Sequence, residues 1–177
     1  MPEEGLDERA FRREQGDFEA LFRAHYPEIV RYLAARLGSR DDASELASEV
    51  FVEAWRRVPG LQWRGRPVRA WLYRVAANMA ADELKRRARG RVVSLDNEAE
   101  TPDPTERVPD RVALAHALRE LPPDYQLVVH LRLVEGQPFA EVARVMGKSV
   151  GACQMLLLRA GKLLRESLER EGVHEHA

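Results

Sequence analysis

Apolar residues recur along this chain at three- and four-residue steps, and no stretch alternates convincingly with period two. Phe18, Leu21, Phe22, His25, Ile29, Val30, Leu33 and Leu37 fall on one face of a helix. Asp17 is placed to cap its start and Gly38 to end it. Ser39, with Asp42 three residues on, opens a second helix. That helix runs to about Val58 with Leu46, Val50, Ala54 and Trp55 on one side, and Pro59-Gly60 stops it. After the loop LQWRGRP a third helix runs from near Pro67 to about Arg89, with Trp71, Leu72, Val75, Ala76 and Met79 as its buried stripe.

A second helical block follows. One helix covers roughly Asp110 to Glu120, and LPPD breaks it. Pro123 suits the first turn of the next, Tyr125 to Val134, which Glu135-Gly136 closes. Pro138 opens a short helix from Phe139 to Met146. Gly147-Lys148-Ser149 turns the chain, and Ser149 caps a long helix from Val150 to about Arg170. Between the blocks lies VVSLDNEAETPDPTERVPD, with three prolines, six acidic residues and too few large apolar side chains to build a core. The expected architecture is all-α: two small helical domains, residues 17–91 and 111–170, joined by a flexible acidic linker, residues 92–110. Short tails, residues 1–16 and 171–177, flank them.

Net charge, −1 over 177 residues, hides a segregation. Residues 17–91 hold 15 basic against 10 acidic side chains, the linker 1 against 6, and residues 111–170 hold 9 against 6. Two mildly basic blocks thus flank an acidic connector, a pattern that suits contact with nucleic acid. The polar, acidic opening of the chain has no signal-peptide core, and no apolar run approaches the ~20 residues of a membrane span. With the single Cys153, which has no internal disulfide partner, this points to a cytoplasmic protein without membrane insertion.

Chemistry-bearing sets are few. The five histidines form no metal-spaced group with cysteine, and no P-loop, G-x-S-x-G or H-E-x-x-H occurs. No catalytic residue, metal or cofactor is therefore expected. Ala143 and Gly147 sit four apart ahead of a capped long helix, the outline of a helix-turn-helix; a generic helical hairpin is the alternative. Wound at about 100° per residue, the long helix places Val150, Cys153, Leu157, Ala160, Gly161 and Leu164 on one side. The opposite side carries Gly151, Ala152, Met155, Leu158, Arg159 and Lys162. Small and apolar side chains can read thymine methyls in a major groove. Met155, Leu156 and Leu158 equally suit a sticky surface for a protein partner. On the third helix Arg74, Asn78, Asp82 and Lys85 form one polar stripe that ends in KRRARGR, next to the loop Gln62-Trp63-Arg64-Gly65-Arg66. A basic helix end with a nearby aromatic suits phosphates and unpaired bases; taken alone, a solvated helix with a basic C-terminus explains it as well.

Three stretches taken together carry a family resemblance. FEALFRAHYPEIVRYLAARLGSRDDASELASEVFVEAWRRV, RPVRAWLYRVAANMAADELKRR and LPPDYQLVVHLRLVEGQPFAEVARVMGKSVGACQMLLLRAGKLL resemble the sigma-2 and sigma-4 domains of extracytoplasmic-function (group 4) bacterial sigma factors. The match covers residues 17–168. The resemblance implies a transcription initiation factor that joins core RNA polymerase and directs it to −35 and −10 promoter elements. It implies docking on the β′ clamp through the second helix, with Asp42, Glu45, Leu46, Glu49, Val50 and Glu53. It assigns −10 recognition and melting to Gln62, Trp63, Arg64, Arg66, Arg74, Asn78, Asp82, Lys85, Arg86 and Arg87. It assigns −35 recognition to Ser149, Gly151, Ala152, Gln154, Met155, Leu158, Arg159 and Lys162, with the same domain resting on the β flap. An anti-sigma factor is implied as a further partner. Two departures stand out: Ser44 and Ser48 occupy positions that are usually acidic or amide, and Gln154 and Leu156 occupy usually basic ones. Two other classes remain in view: a sigma-like interaction module or co-sigma whose second domain docks a protein, and a helix-turn-helix regulator acting without polymerase.

Overall fold

The computed structural model describes residues 14–57, 67–93 and 109–170, and every described element is helical. The first block is a three-helix unit: α1 (Glu14–Leu37), α2 (Arg40–Arg57) and α3 (Val68–Val93). The second block holds α4 (Pro109–Glu120), α5 (Pro123–Val129) running into a π-helical turn (His130–Val134), α6 (Phe139–Met146) and α7 (Val150–Arg170).

Each boundary has a local cause. Gly38 adopts φ +76° after α1, a left-handed conformation that costs glycine little. The Ser39 hydroxyl accepts the Asp42 N–H at 3.3 Å, so the expected cap forms. Pro122 and Pro123 interrupt α4 and open α5. α1 begins at Glu14, upstream of Asp17, so Asp17 lies within the helix instead of capping it. The expected helix from Tyr125 to Val134 starts earlier and ends in a π turn, closed where the Glu135 N–H reaches the His130 carbonyl at 2.9 Å.

Small residues set the spacing of the first unit. Ala43, Ala47 and Ala54 are fully buried on α2, which lets its backbone lie close to α1, where Ile29 and Leu33 are fully buried. Phe18, Phe22 and Tyr26 of α1 pack around Phe51. Trp55, expected on the buried side of α2, is half exposed and lays its ring edge-on to Phe18, 4.9 Å away. On α3 the deepest positions are Val68, Leu72, Tyr73, Ala76 and Ala80; the expected stripe omits Tyr73, which is fully buried.

In the second block Val128, Leu131, Val142, Cys153 and Ala160 are fully buried. Val150 and Gly161, expected on the core side of α7, are exposed, while Leu156, expected outside, packs against the core beside Leu157 and Leu164. The inward face of α7 is therefore rotated from the expected one, centred on Cys153, Ala160 and Ser167.

The two blocks touch. α4 lies against α1, and α6 lies against α3. Helix bounds leave residues 94–108 between the blocks, outside the described residues.

Candidate nucleic-acid interface

The helix-turn-helix depends on one backbone conformation. Gly147 ends α6 at φ +64°, and the Lys148 N–H reaches back to the Ala143 carbonyl at 3.1 Å. Ser149 then caps α7, its hydroxyl accepting the Ala152 N–H at 3.1 Å. Lys148 pairs with Asp124 at 3.2 Å, which ties the turn to α5. The outer face of α7 is thereby presented to solvent: Ser149, Gly151, Ala152, Gln154, Met155, Leu158, Arg159 and Lys162 are all exposed. Leu158 is 68% exposed and Met155 48%. Lys162 lies 3.8 Å from Glu166 on the next turn, a weak exposed pair. Cys153 points the other way, fully buried, and burial pushes its thiol up from the usual value. Such a thiol stays protonated at neutral pH and packs in the core.

On α3, Arg74, Asn78, Asp82 and Lys85 are exposed along one face, as the spacing requires. The basic end is less free than the sequence suggests. Arg86 grips Glu83 with two hydrogen bonds, at 2.8 and 2.9 Å. Arg87 donates to Glu83 at 2.7 Å and to Asp42 of α2 at 2.7 Å. These guanidinium groups hold the Glu83 carboxyl below its ordinary range. Arg87 thus ties the end of α3 to the start of α2, while Lys85 and Arg86 stay solvent-facing. Gln62, Trp63, Arg64 and Arg66 lie outside the described residues.

On α2, Glu45 and Glu49 are exposed, and Asp42, Leu46 and Glu53 are half-buried. Val50 corrects the sequence-based set: it is fully buried in the core, so it seats the helix and offers no outward contact. Val52, half exposed on this helix, was not in that set. Glu49, Val52, Arg56, Val75, Asn78 and Met79 line a shallow groove between α2 and α3. Its α2 wall carries the expected polymerase-facing acids, and its α3 wall carries Asn78.

A third cluster was not legible in the sequence. Glu28, on α1 and buried, accepts two bonds from Arg69 Nε and one from Nη2 at 2.5 Å. It also accepts the Tyr73 hydroxyl at 3.1 Å, and His25 Nδ1 lies 2.6 Å away. Burial pushes its carboxyl up, but the bonds to His25 and Arg69 outweigh burial and leave it below the usual range. Against this cluster sits His130 of the second block, 4% exposed, its ring 5.4 Å from that of Tyr32 and 6.0 Å from that of Tyr73. Arg31 grips Glu135 through Nε at 2.7 Å and Nη2 at 2.8 Å. His130 Nε2 lies 3.3 Å from Glu135 Oε1 but off the line a hydrogen bond needs, and neither ring nitrogen finds a partner. Burial pushes the His130 imidazole down to about 4. The Arg31 hydrogen bonds hold the Glu135 carboxyl below its usual range.

Among the described residues no group of His, Cys, Asp and Glu is placed to hold a metal, and no helix is long and apolar enough to cross a membrane. Residues 21–90 match the family model of sigma-70 region 2, and residues 111–164 match that of sigma-70 region 4. The chain is 36% identical over 171 residues to the ECF RNA polymerase sigma factor BldN of Streptomyces coelicolor, covering 92% of this chain and 64% of that protein. It is 32% identical over 159 residues to the ECF RNA polymerase sigma factor SigL of Mycobacterium tuberculosis, covering 87% of this chain and 90% of SigL. The fold is similar to that of CnrH in complex with the cytosolic domain of CnrY, with TM-score 0.63, 25% identity and coverage of 94% and 97% of the two chains. It is also similar to that of the sigma factor RpoE in complex with the anti-sigma factor NepR from Bartonella quintana, with TM-score 0.59, 21% identity and coverage of 86% and 97%. Two region matches in the order and at the separation the helices require, with a relative matched almost end to end, leave one conclusion: the chain belongs to the ECF RNA polymerase sigma factors of the sigma-70 family, which are transcription initiation factors and not enzymes.

Proposed function

We propose that this chain joins core RNA polymerase and selects promoters, reading a −35 element with α7 and a −10 element with α3, and helps to open the DNA at the −10 element. The observation that carries the reading is the outward face of α7. A left-handed Gly147 and a Ser149 cap turn its N-terminal half to solvent, as an element entering a major groove must be turned. Gly151 and Ala152 permit close approach, Met155 and Leu158 suit thymine methyls, and Arg159 and Lys162 follow toward the phosphates. On α3 the exposed stripe from Arg74 to Lys85 supplies an asparagine able to pair with adenine and cations for the backbone. Asp42, Glu45, Leu46, Glu49 and Glu53 of α2 form the face for the β′ clamp, and the second block rests on the β flap. Two solved relatives are in complex with CnrY and with an anti-sigma factor, and an anti-sigma factor is assigned to this chain by that likeness.

Run-off transcription with core polymerase over fragmented host genomic DNA tests the reading. Transcripts starting downstream of a shared −35/−10 pair, weakened by both Asn78→Ala and Arg159→Ala, are expected. A second reading rests on Met155 and Leu158, large apolar side chains at the centre of the reading face. In it α7 docks a protein, and α3 alone reads the promoter. Arg159→Ala then leaves initiation unchanged, while Asn78→Ala silences it.

A further inference from the structure

A recognition helix meets base edges with its N-terminal turns. In the first two turns of α7 the exposed residues are Val150, Gly151, Ala152, Gln154 and Met155. Of these, Gln154 alone carries a hydrogen-bonding side chain. The Ser149 oxygen ahead of them holds the Ala152 N–H, and Lys148 is drawn aside to Asp124 at 3.2 Å. The first turn has no acidic residue, and the next cation after Lys148 is Arg159.

That inventory discriminates between base pairs. In the major groove guanine offers two acceptors that suit arginine or lysine, and cytosine an amino donor that suits a carboxylate. Neither partner is present on these turns, so a G·C pair would set its polar edges against Val150, Ala152 or Met155 and leave them unpaired. An A·T pair finds both of its partners. The thymine methyl fits Ala152, Met155 or Leu158, and adenine matches a carboxamide, which accepts from N6 and donates to N7. Gln154 lies one turn after Gly151 and one turn before Leu158, with Met155 beside it. A Cβ at Gly151 would meet nothing within 4 Å, so the missing side chain leaves open ground for the groove to approach Gln154. Met155 and Leu158, both exposed, flank the carboxamide and would keep water from its hydrogen bonds to a base. Arg159 and Lys162, further along, reach the backbone, where contacts position the helix without choosing a sequence.

We propose that the −35 element of this factor consists of A·T pairs where the first two turns of α7 meet it, and that Gln154 is its specificity-determining residue, paired through two hydrogen bonds with one adenine. The assignment rests on α7 reading DNA, as proposed above, and adds which bases it accepts. It makes the glutamine at a usually basic position the source of the preference: an arginine there would ask for guanine.

The test uses holoenzyme assembled from the full chain and core polymerase. A promoter found by run-off transcription is supplied with its −35 element randomised, and the templates that initiate are sequenced. The wild type is expected to enrich A·T pairs, with adenine preferred over guanine at one position roughly 5- to 150-fold. Gln154→Arg is expected to move that one position to guanine, and Gln154→Ala to flatten it. Gln154 is exposed, so the melting midpoint of the free chain should stay unchanged in both variants. A wild type that selects mostly G·C pairs, or an adenine preference that survives both substitutions, would overturn the assignment. If Arg159→Ala still weakens initiation in that case, α7 reads DNA through other contacts and the proposed function stands. A wild type with no base preference in the −35 element, and initiation indifferent to Arg159→Ala, overturns the assignment together with −35 reading by α7.

Discussion

Arg31 and Glu135, 104 residues apart in sequence, meet as a two-pronged ion pair that joins the first helix of one block to the turn after the π helix of the other. The pair is asymmetric. The Arg31 side chain is half in solvent, while that of Glu135 is 10% exposed and lies beside a buried histidine. Its weight therefore comes from what Glu135 would face without it, more than from the Coulomb attraction itself.

His130 makes the fold sensitive to acid. Its imidazole is pushed down to about 4 in the folded chain from an ordinary 6.5, by burial. A lowered value means that the folded protein resists protonation. The contribution to stability is whole above about pH 6.5 and is lost as pH falls toward 4. The groups facing it are Glu28, Arg31 and Tyr32 of α1, Arg69 and Tyr73 of α3, and Glu135. Glu28 and Glu135, both held low, lose their contributions in the same direction, but below the histidine window. Thermal melts between pH 7 and pH 4.5 should show stability falling by on the order of 1–3 kcal/mol. His130→Phe, which removes the titrating group and keeps the ring packing, should flatten that dependence. An unchanged slope in the variant would place the acid sensitivity elsewhere.

Glu28 anchors the base of α3. Its carboxylate satisfies Arg69, whose side chain is only 13% exposed, and the Tyr73 hydroxyl. Glu28→Ala leaves a buried guanidinium unpaired and should cost about 3–5 kcal/mol in urea unfolding. A loss under about 1 kcal/mol would mean that Arg69 finds water or another acceptor.

The α3 stripe separates fold from function. Asn78 is exposed, so Asn78→Ala should change stability by no more than about 0.5 kcal/mol. The same substitution should lower promoter-dependent initiation roughly 5- to 150-fold, as about 1–3 kcal/mol of lost base recognition requires. Arg87→Ala should do the reverse in part, because Arg87 links α3 to Asp42 of α2. A loss of stability with Asn78→Ala equal to that with Arg87→Ala would contradict this division.

The turn before α7 should be sensitive to a single methyl group. Gly147 sits at φ +64°, and the space that an alanine Cβ would take is open, so only backbone strain opposes alanine there. Gly147→Ala should cost about 1–2 kcal/mol, lowering the melting midpoint by roughly 2–4 °C per kcal/mol in a chain of 177 residues. A midpoint unchanged within error would show that the turn relaxes freely.

Much of the architecture follows from local chemistry. Helical spacing, proline and glycine punctuation, and serine caps at Ser39 and Ser149 suffice for the order of helices and the exposed stripe on α3, because each depends on neighbours within a few residues. Tertiary packing decided what local rules leave open. It rotated α7 so that Leu156 turns inward and Val150 outward, because the side that meets α5 and α6 depends on where those helices lie. It buried Val50 and committed Arg87 to Asp42 of α2, since an arginine's partners on other helices are set by what comes within its reach. It also brought Glu28, Tyr73, His130 and Glu135 together. No sequence signal marks that cluster, because its members come from α1, α3 and the π turn with its cap, and acquire their altered acidities from the partners and burial that packing gives them.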